Sequence, residues 1–191
     1  RVYFVGQFAN ANFTPSPKQA VVSTAAGAPL VAGLAPWIPS VGSGTKTYQQ
    51  TILEVGDDVW QGGSEHILTR YSRDMYAARH ANITRNGGDF QALAVIDGVV
   101  YASCHCLHYD YSETTNWSSP IPSAADVNNI RFIGAWDAQT GAYLPNFLIS
   151  GLNGRNDMGP WALRKDPNGC LWFGGDMVRG SWKGTEYQWL G

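Results

Sequence analysis

The sequence has 191 residues, of which 44% are hydrophobic and only 15% are charged, and its formal net charge is −2. This length builds one domain or two small ones, and the near-neutral charge excludes a nucleic-acid binder that depends on a basic patch. Turn-forming and aromatic residues are abundant, with 22 Gly, 10 Pro, 8 Trp, 9 Tyr and 7 Phe. We therefore predict an all-β fold of many short strands joined by turns.

The first part of the chain combines a strand-like run at 2–5 with a charge-free segment at 19–45. That segment is rich in Ala, Gly and Pro, which predicts short strands and loops instead of a helix. No run of about 18 apolar residues occurs, so we predict no membrane span. Because 2–5 and 187–191 are largely apolar, we expect the chain to be a piece of a longer polypeptide.

A short phrase recurs four times along the chain, at 2–8, 58–63, 98–103 and 169–175. Each copy has an aliphatic residue, an aromatic residue, any residue and then small residues. Three copies follow a turn rich in Asp, Asn and Gly, and a strand-like segment precedes each turn. Strand, turn and strand in this order predict a β-hairpin.

Further strand-like segments follow two of these hairpins in the sequence. Third strands are predicted at 65–71 and 131–137, and a long loop is predicted at 110–127. The aromatic residues of the four phrases lie 57, 41 and 71 residues apart, and a propeller blade takes about 40–50 residues. We therefore predict a single domain over residues 1–191 that is a β-propeller or a partial propeller, completed by further protein. A β-sandwich with similar hairpins is the alternative.

The repeat also predicts which side chains are equivalent. We expect three aliphatic residues on one sheet face and the three aromatic residues after them on the other face, packed in the core: Val59, Val100 and Leu171, then Trp60, Tyr101 and Trp172.

Three glycine- and aromatic-rich segments, at 87–94, 132–147 and 159–176, resemble the propeller-repeat segments of actinobacteriophage minor tail proteins. The resemblance covers about residues 50–191, and the preceding part matches only through its opening strand. It implies a structural protein of the virion, placed at the phage tail tip and serving tail assembly or attachment to the host surface. The implied partners are other tail proteins or further copies of the chain, with a host cell-envelope glycan as a further candidate. The alternative is a secreted or cell-surface bacterial protein, either a carbohydrate-active enzyme or a lectin-like module, on a propeller fold.

Residues that suggest chemistry cluster between Cys104 and Asp110. On one extended strand Cys104, Cys106, His108 and Asp110 share a face, but such residues lie about 6.6 Å apart per pair and do not converge on one ion. We therefore predict no metal site. We expect Cys104, Cys106 and Cys170 to be free; the alternative is a disulfide from Cys104 or Cys106 to Cys170. No nucleophile elbow or phosphate-binding loop occurs, so we predict no catalytic residue, no cofactor and no hydrolase activity. Asp89 is expected to accept turn amides.

Four aromatic residues are our candidates for binding: Tyr109, Tyr111, Trp117 and Trp182. Exposed Tyr and Trp with polar neighbours suit stacking on sugars or docking on a protein. The alternative is that these side chains fold back on their own domain.

Overall fold

The computed structural model describes residues 1–31, 48–64, 66–74, 78–85, 88–106, 109–112, 127–145, 149–154, 158–182 and 184–188. These ranges hold strands and no helix, so the all-β prediction is confirmed. The strands are β1 (Val2–Val5), β2 (Asn10–Ala11), β3 (Thr14–Pro15), β4 (Gln19–Val22), β5 (Gln49–Val55), β6 (Asp58–Gly63), β7 (Ile67–Ser72), β8 (Ala78–Arg85), β9 (Phe90–Ile96), β10 (Val99–Cys104), β11 (Tyr109–Ser112), β12 (Val127–Asn129), β13 (Ile133–Asp137), β14 (Ile149–Gly154), β15 (Pro160–Lys165), β16 (Leu171–Gly175), β17 (Met177–Trp182) and β18 (Thr185–Gln188).

These strands form antiparallel sheets, and none of the sheets closes on itself among the described residues. The largest has six strands in the order β12-β11-β8-β7-β6-β5, and two sheets have three strands each, in the orders β13-β10-β9 and β14-β17-β18. The two-stranded sheets are β15-β16, β1-β4 and β2-β3. The chain passes from β8 into the β9–β10 hairpin and returns to pair β11 with β8. The predicted loop at 110–127 is therefore wrong at its ends, which lie in β11 and β12, and residues 113–126 lie outside the described part.

The predicted hairpins are present. β5 pairs with β6, β9 with β10, and β15 with β16, each across the turn that the sequence indicates. In the β9–β10 turn Asp97 and Gly98 have φ of 49° and 78°, as a two-residue turn with left-handed residues requires. The predicted third strands are also confirmed, because β7 pairs with β6 and β13 pairs with β10.

The sheets stack on one another in chain order. Val59 on β6 packs with Val21 of β4 and Tyr71 of β7. Trp60, the next residue of β6, joins a separate core cluster with Phe90 of β9, and that cluster extends through β10 to β13. A further apolar cluster joins β13 to β14, β15, β16 and β17. At β6 and at β10 the sheets are therefore covered on both faces.

The first strands of the successive hairpins lie side by side within this stack. β5 lies beside β1 and β9, and β9 lies beside β5 and β15. Gly62 of β6 faces Phe90 of β9 closely, since a Cβ atom placed on Gly62 would lie 2.5 Å from the Phe90 Cβ. A glycine therefore permits the contact between these two sheets.

The β15–β16 hairpin departs from the predicted repeat. Trp60 and Tyr101 each form the third residue pair from their turn, whereas Trp172 forms the second. The reason is turn length, because the turn at 166–170 is longer than the two-residue turns of the other hairpins. A register shift of one residue reverses the faces, and Trp172 is 65% exposed. The predicted core position of Trp172, and the equivalence of Leu171 with Val59 and Val100, are therefore wrong.

Candidate functional site

A polar cluster gathers where β5, β9 and β15 begin. We call it the Asp89 cluster, and it consists of Gln50, His66, Asp89, Gln91, His105 and Trp161. Gln50, Gln91 and Trp161 lie on those three strands, Asp89 directly precedes β9, and the two histidines lie in the β6–β7 turn and directly after β10. Side chains that are distant in sequence thus meet at one end of the stacked sheets.

The Asp89 carboxylate is held by two side chains. Its Oδ2 accepts a hydrogen bond of 3.3 Å from the Gln50 amide, and its Oδ1 lies 3.4 Å from the His66 Nε2. The backbone N–H of His105 donates to the Asp89 carbonyl at 3.2 Å. Among the described residues, the partners of this carboxylate are therefore side chains and not the turn amides that we expected. The side chain keeps 22% of its surface exposed, so a ligand can reach it.

His105 is the partly buried imidazole of the cluster. Its Nε2 contacts the amide of Gln91, and its ring lies edge-on to that of Trp161 with 5.1 Å between centroids. Burial lowers the pKa of His105, Asp89 opposes that change and His66 adds to it. The imidazole is therefore neutral at pH 7, and a neutral ring carries one donor and one acceptor.

Thr84 of β8 holds the two loops that carry the cluster. Its backbone N–H donates to the His66 carbonyl at 2.9 Å, and its hydroxyl donates to the Gly88 carbonyl at 2.9 Å. Thr84 is fully buried. His66 has a φ of 61°, an uncommon conformation for a residue with a side chain. Residues in such conformations persist where the surrounding structure fixes them, so the cluster is rigidly supported.

The prediction that all three cysteines are free is wrong for the two that lie in the chain next to His105 of this cluster. Cys104 and Cys106 form a disulfide, with 5.1 Å between their Cα atoms. The prediction assumed one extended strand, but β10 has a register irregularity at Ser103 and ends at Cys104. The chain turns there, and the backbones of both cysteines hydrogen-bond to Phe132. Cys170 is free, as predicted. Among the described residues, no group of three potential metal ligands comes together.

Three of the four predicted binding residues lie on other strands than the side chains of the Asp89 cluster. Tyr109 and Tyr111 are on β11, which pairs with β8 and β12, and Trp182 is on β17. The structure describes the backbones of Tyr109, Tyr111 and Trp182 but not their side chains, and Trp117 lies outside the described residues. Trp161 is half exposed, at 50%, and was not among our candidates. No signal in the sequence marks it, because its neighbours in space come from other hairpins.

Comparisons with known proteins identify no family. No protein-family model matches the sequence, and no curated protein matches it. The crystal structure of the computationally designed Ika4 protein is similar at 13% identity and a TM-score of 0.33, covering 78% of this chain and 96% of that chain. The designed Ika8 protein is similar at 13% identity and a TM-score of 0.31, covering 75% of this chain and 46% of that chain. Similarities this weak assign neither fold family nor function.

In the described part of the chain, no helix has the length and apolar character needed to cross a membrane.

Proposed function

We propose that the chain is an arc of a β-propeller and a structural, non-enzymatic component of a phage tail tip. It serves tail assembly, attachment to the host surface, or both. The observation that carries the propeller part is the stacking of successive sheets in chain order, with the first strands of the hairpins side by side. Radial repetition of small sheets around a central axis produces that arrangement.

Burial on both faces supports a propeller over the β-sandwich alternative. Val59 and Trp60 are neighbours on β6, so they point to opposite faces, and both are fully buried. Ala102 and Ser103 on β10 show the same pattern. In a two-layer antiparallel sandwich one face of each sheet packs on the core and the other faces water.

An open apolar face at one end of the stack supports a role in assembly. β1 turns Tyr3 towards β6 and leaves Val2 and Phe4 exposed at 42% and 48%. A groove of about 390 Å³ lies on this sheet, lined by Phe4, Phe8 and other residues. Exposed apolar surface of this kind favours association, so other tail proteins or further copies of the chain are the proposed partners.

Sedimentation velocity of the purified chain tests the assembly part. We expect oligomers at micromolar concentration, and we expect Phe4→Asp to shift them towards monomer. Phe13→Asp is the matched control, because Phe13 is fully exposed outside the groove. A wild-type chain that sediments only as a monomer contradicts the proposal.

Immunogold labelling tests the virion part. An antibody raised against the chain is expected to label one end of the tail on particles of the phage whose genome encodes it. Purified particles without label overturn the assignment to the virion.

The Asp89 cluster favours a second candidate function, the secreted carbohydrate-active or lectin-like protein. Ligand sites combine aromatic side chains with a few polar or charged groups, and this cluster holds a carboxylate, a neutral imidazole and a half-exposed indole. A glycan-hydrolysing activity that Asp89→Asn abolishes without unfolding the chain would support an enzyme and contradict the structural proposal.

A further inference from the structure

We propose that the Asp89 cluster is a binding site for a neutral pyranose sugar, with Trp161 as the stacking surface. This proposal deepens the attachment function proposed above and rests on it for its biological role. The site differs from the four aromatic residues that the sequence suggests.

The apolar part of the proposed site is the indole of Trp161. His105 contacts one region of the ring system, and the indole N–H lies 3.5 Å from an Asp176 carboxylate oxygen. Half of the side chain remains exposed although both ends of the ring have neighbours. A flat, oriented aromatic surface of this kind suits the C–H face of a sugar ring.

The polar part supplies the complementary groups. The Asp89 carboxylate accepts hydrogen bonds, and the Gln50 amide donates and accepts. The Nε2 of His105 already contacts Gln91, so the neutral imidazole has its Nδ1 left for a ligand. Vicinal hydroxyl groups each donate and accept, so several of them can be satisfied at once. His66 and Asp89 keep about a quarter to a third of their side-chain surface exposed, at 32% and 22%.

The charges at the site disfavour an anionic ligand. Among the described residues, the imidazole of His66 contacts the Asp89 carboxylate, and no lysine or arginine pairs with it. Asp176 adds a second carboxylate beside Trp161. A phosphate, a sulfate or an acidic sugar would meet like charge at this position, which disfavours binding.

The site is also preorganised. Thr84 fixes both loops through its backbone N–H and its hydroxyl, and Gln50 and His66 hold the carboxylate from two sides. Groups that are already ordered lose little conformational entropy when a ligand binds. The geometry therefore suits recognition without a closing movement.

Isothermal titration calorimetry of the 191-residue chain tests the proposal. The probes are oligomers of glucose with α- and β-linkages, and oligomers of N-acetylglucosamine, each titrated separately. We expect at least one probe to bind, and we expect Trp161→Ala to weaken that binding by about tenfold or more. Trp161→Phe keeps an aromatic face and is expected to retain most of the affinity. Asp89→Asn keeps the shape of the side chain and is expected to weaken binding by about tenfold.

Trp172→Ala is the matched control, because Trp172 is an exposed tryptophan of the same hairpin whose indole donates to Asp166. This variant is expected to bind like the wild type. Absence of binding to every probe at about 10 mM overturns the proposal, and so does binding that Trp172→Ala abolishes while Trp161→Ala and Asp89→Asn leave it intact. The outcome is independent of virion labelling, so a labelled tail without sugar binding overturns this inference alone.

Discussion

Replacement of Gly62 by alanine directly tests the stacking of the sheets. The new Cβ atom would lie 2.5 Å from the Cβ of Phe90 and 3.3 Å from its Cγ, whereas carbon atoms in contact lie about 3.5–4.0 Å apart. The Phe90 Cβ is fixed to the backbone of β9, so no side-chain rotation relieves the overlap. The two sheets must separate by roughly 1 Å. Overpacking of this kind costs about 1–3 kcal/mol, and we expect the free energy of unfolding to fall by that amount.

The matched control is Gly174→Ala on β16. No atom lies within 4 Å of a Cβ placed on Gly174, so we expect a change of less than about 0.5 kcal/mol. Both variants lose the same backbone freedom in the unfolded chain, and the difference between them therefore isolates the contact between sheets. Urea unfolding followed by circular dichroism measures it. If Gly62→Ala unfolds at the same urea concentration as Gly174→Ala, β6 and β9 are not packed as described.

The remaining predictions concern a turn and a buried ring. Asp137→Ala is expected to lower the free energy of unfolding by about 1–2 kcal/mol at pH 7, measured by urea titration. The reason is that the Asp137 Oδ1 accepts three hydrogen bonds, from the Gln139 N–H at 3.0 Å, the Thr140 N–H at 2.7 Å and the Thr140 hydroxyl at 2.9 Å. These bonds, first of all that from the Thr140 backbone, hold the pKa of Asp137 below its usual value. The carboxylate therefore stabilises the fold above about pH 4, and this stabilisation is lost as the pH falls through the pKa of the folded state. Asp137→Asn should flatten that part of the pH–stability curve. An unchanged curve would contradict the assignment. Trp136 is fully buried, and its Nε1 has no hydrogen-bond partner among the described residues. Trp136→Ala is expected to lower the free energy of unfolding by about 3–5 kcal/mol, and Trp136→Phe by less than half of that. Equal losses for the two variants in urea unfolding would refute this account.

The hairpins were predictable because their signals are local. A two-residue turn such as Asp97-Gly98 fixes both the backbone conformation and the register of the strands beside it. The turn at Asp166 is also held by local contacts, since the Asp166 Oδ1 accepts hydrogen bonds from the N–H groups of Asn168 and Cys170 at 2.8 Å each.

The register of the third hairpin was not predictable from the repeated phrase. The phrase ignores turn length, and the longer turn shifts the pairing of Trp172 by one step and moves it from the predicted core to the surface. The disulfide was missed for a related reason, because the irregularity at Ser103 that ends the strand has no glycine or proline to mark it.

The Asp89 cluster was not predictable because it depends on how sheets are placed relative to one another. Gln50, Asp89 and Trp161 belong to three different hairpins, and the sequence shows no fixed spacing between them. Asp89 was recognised as a polar residue before a strand, but its partners come from elsewhere in the chain. Only the stacked arrangement brings these groups together.

The path of the chain between the six-stranded sheet and the β13-β10-β9 sheet couples the unfolding of these two sheets. The chain leaves β8 to form the β9–β10 hairpin, returns to place β11 beside β8, and then adds β13 beside β10. The chain crosses between the two sheets three times, from β8 to β9, from β10 to β11 and from β12 to β13, so neither sheet is complete before the other has begun to form. Opening either sheet removes strands that anchor its neighbour, and the pair therefore forms one cooperative unit. The β15–β16 hairpin is continuous in sequence, so its two strands pair without a segment from either sheet.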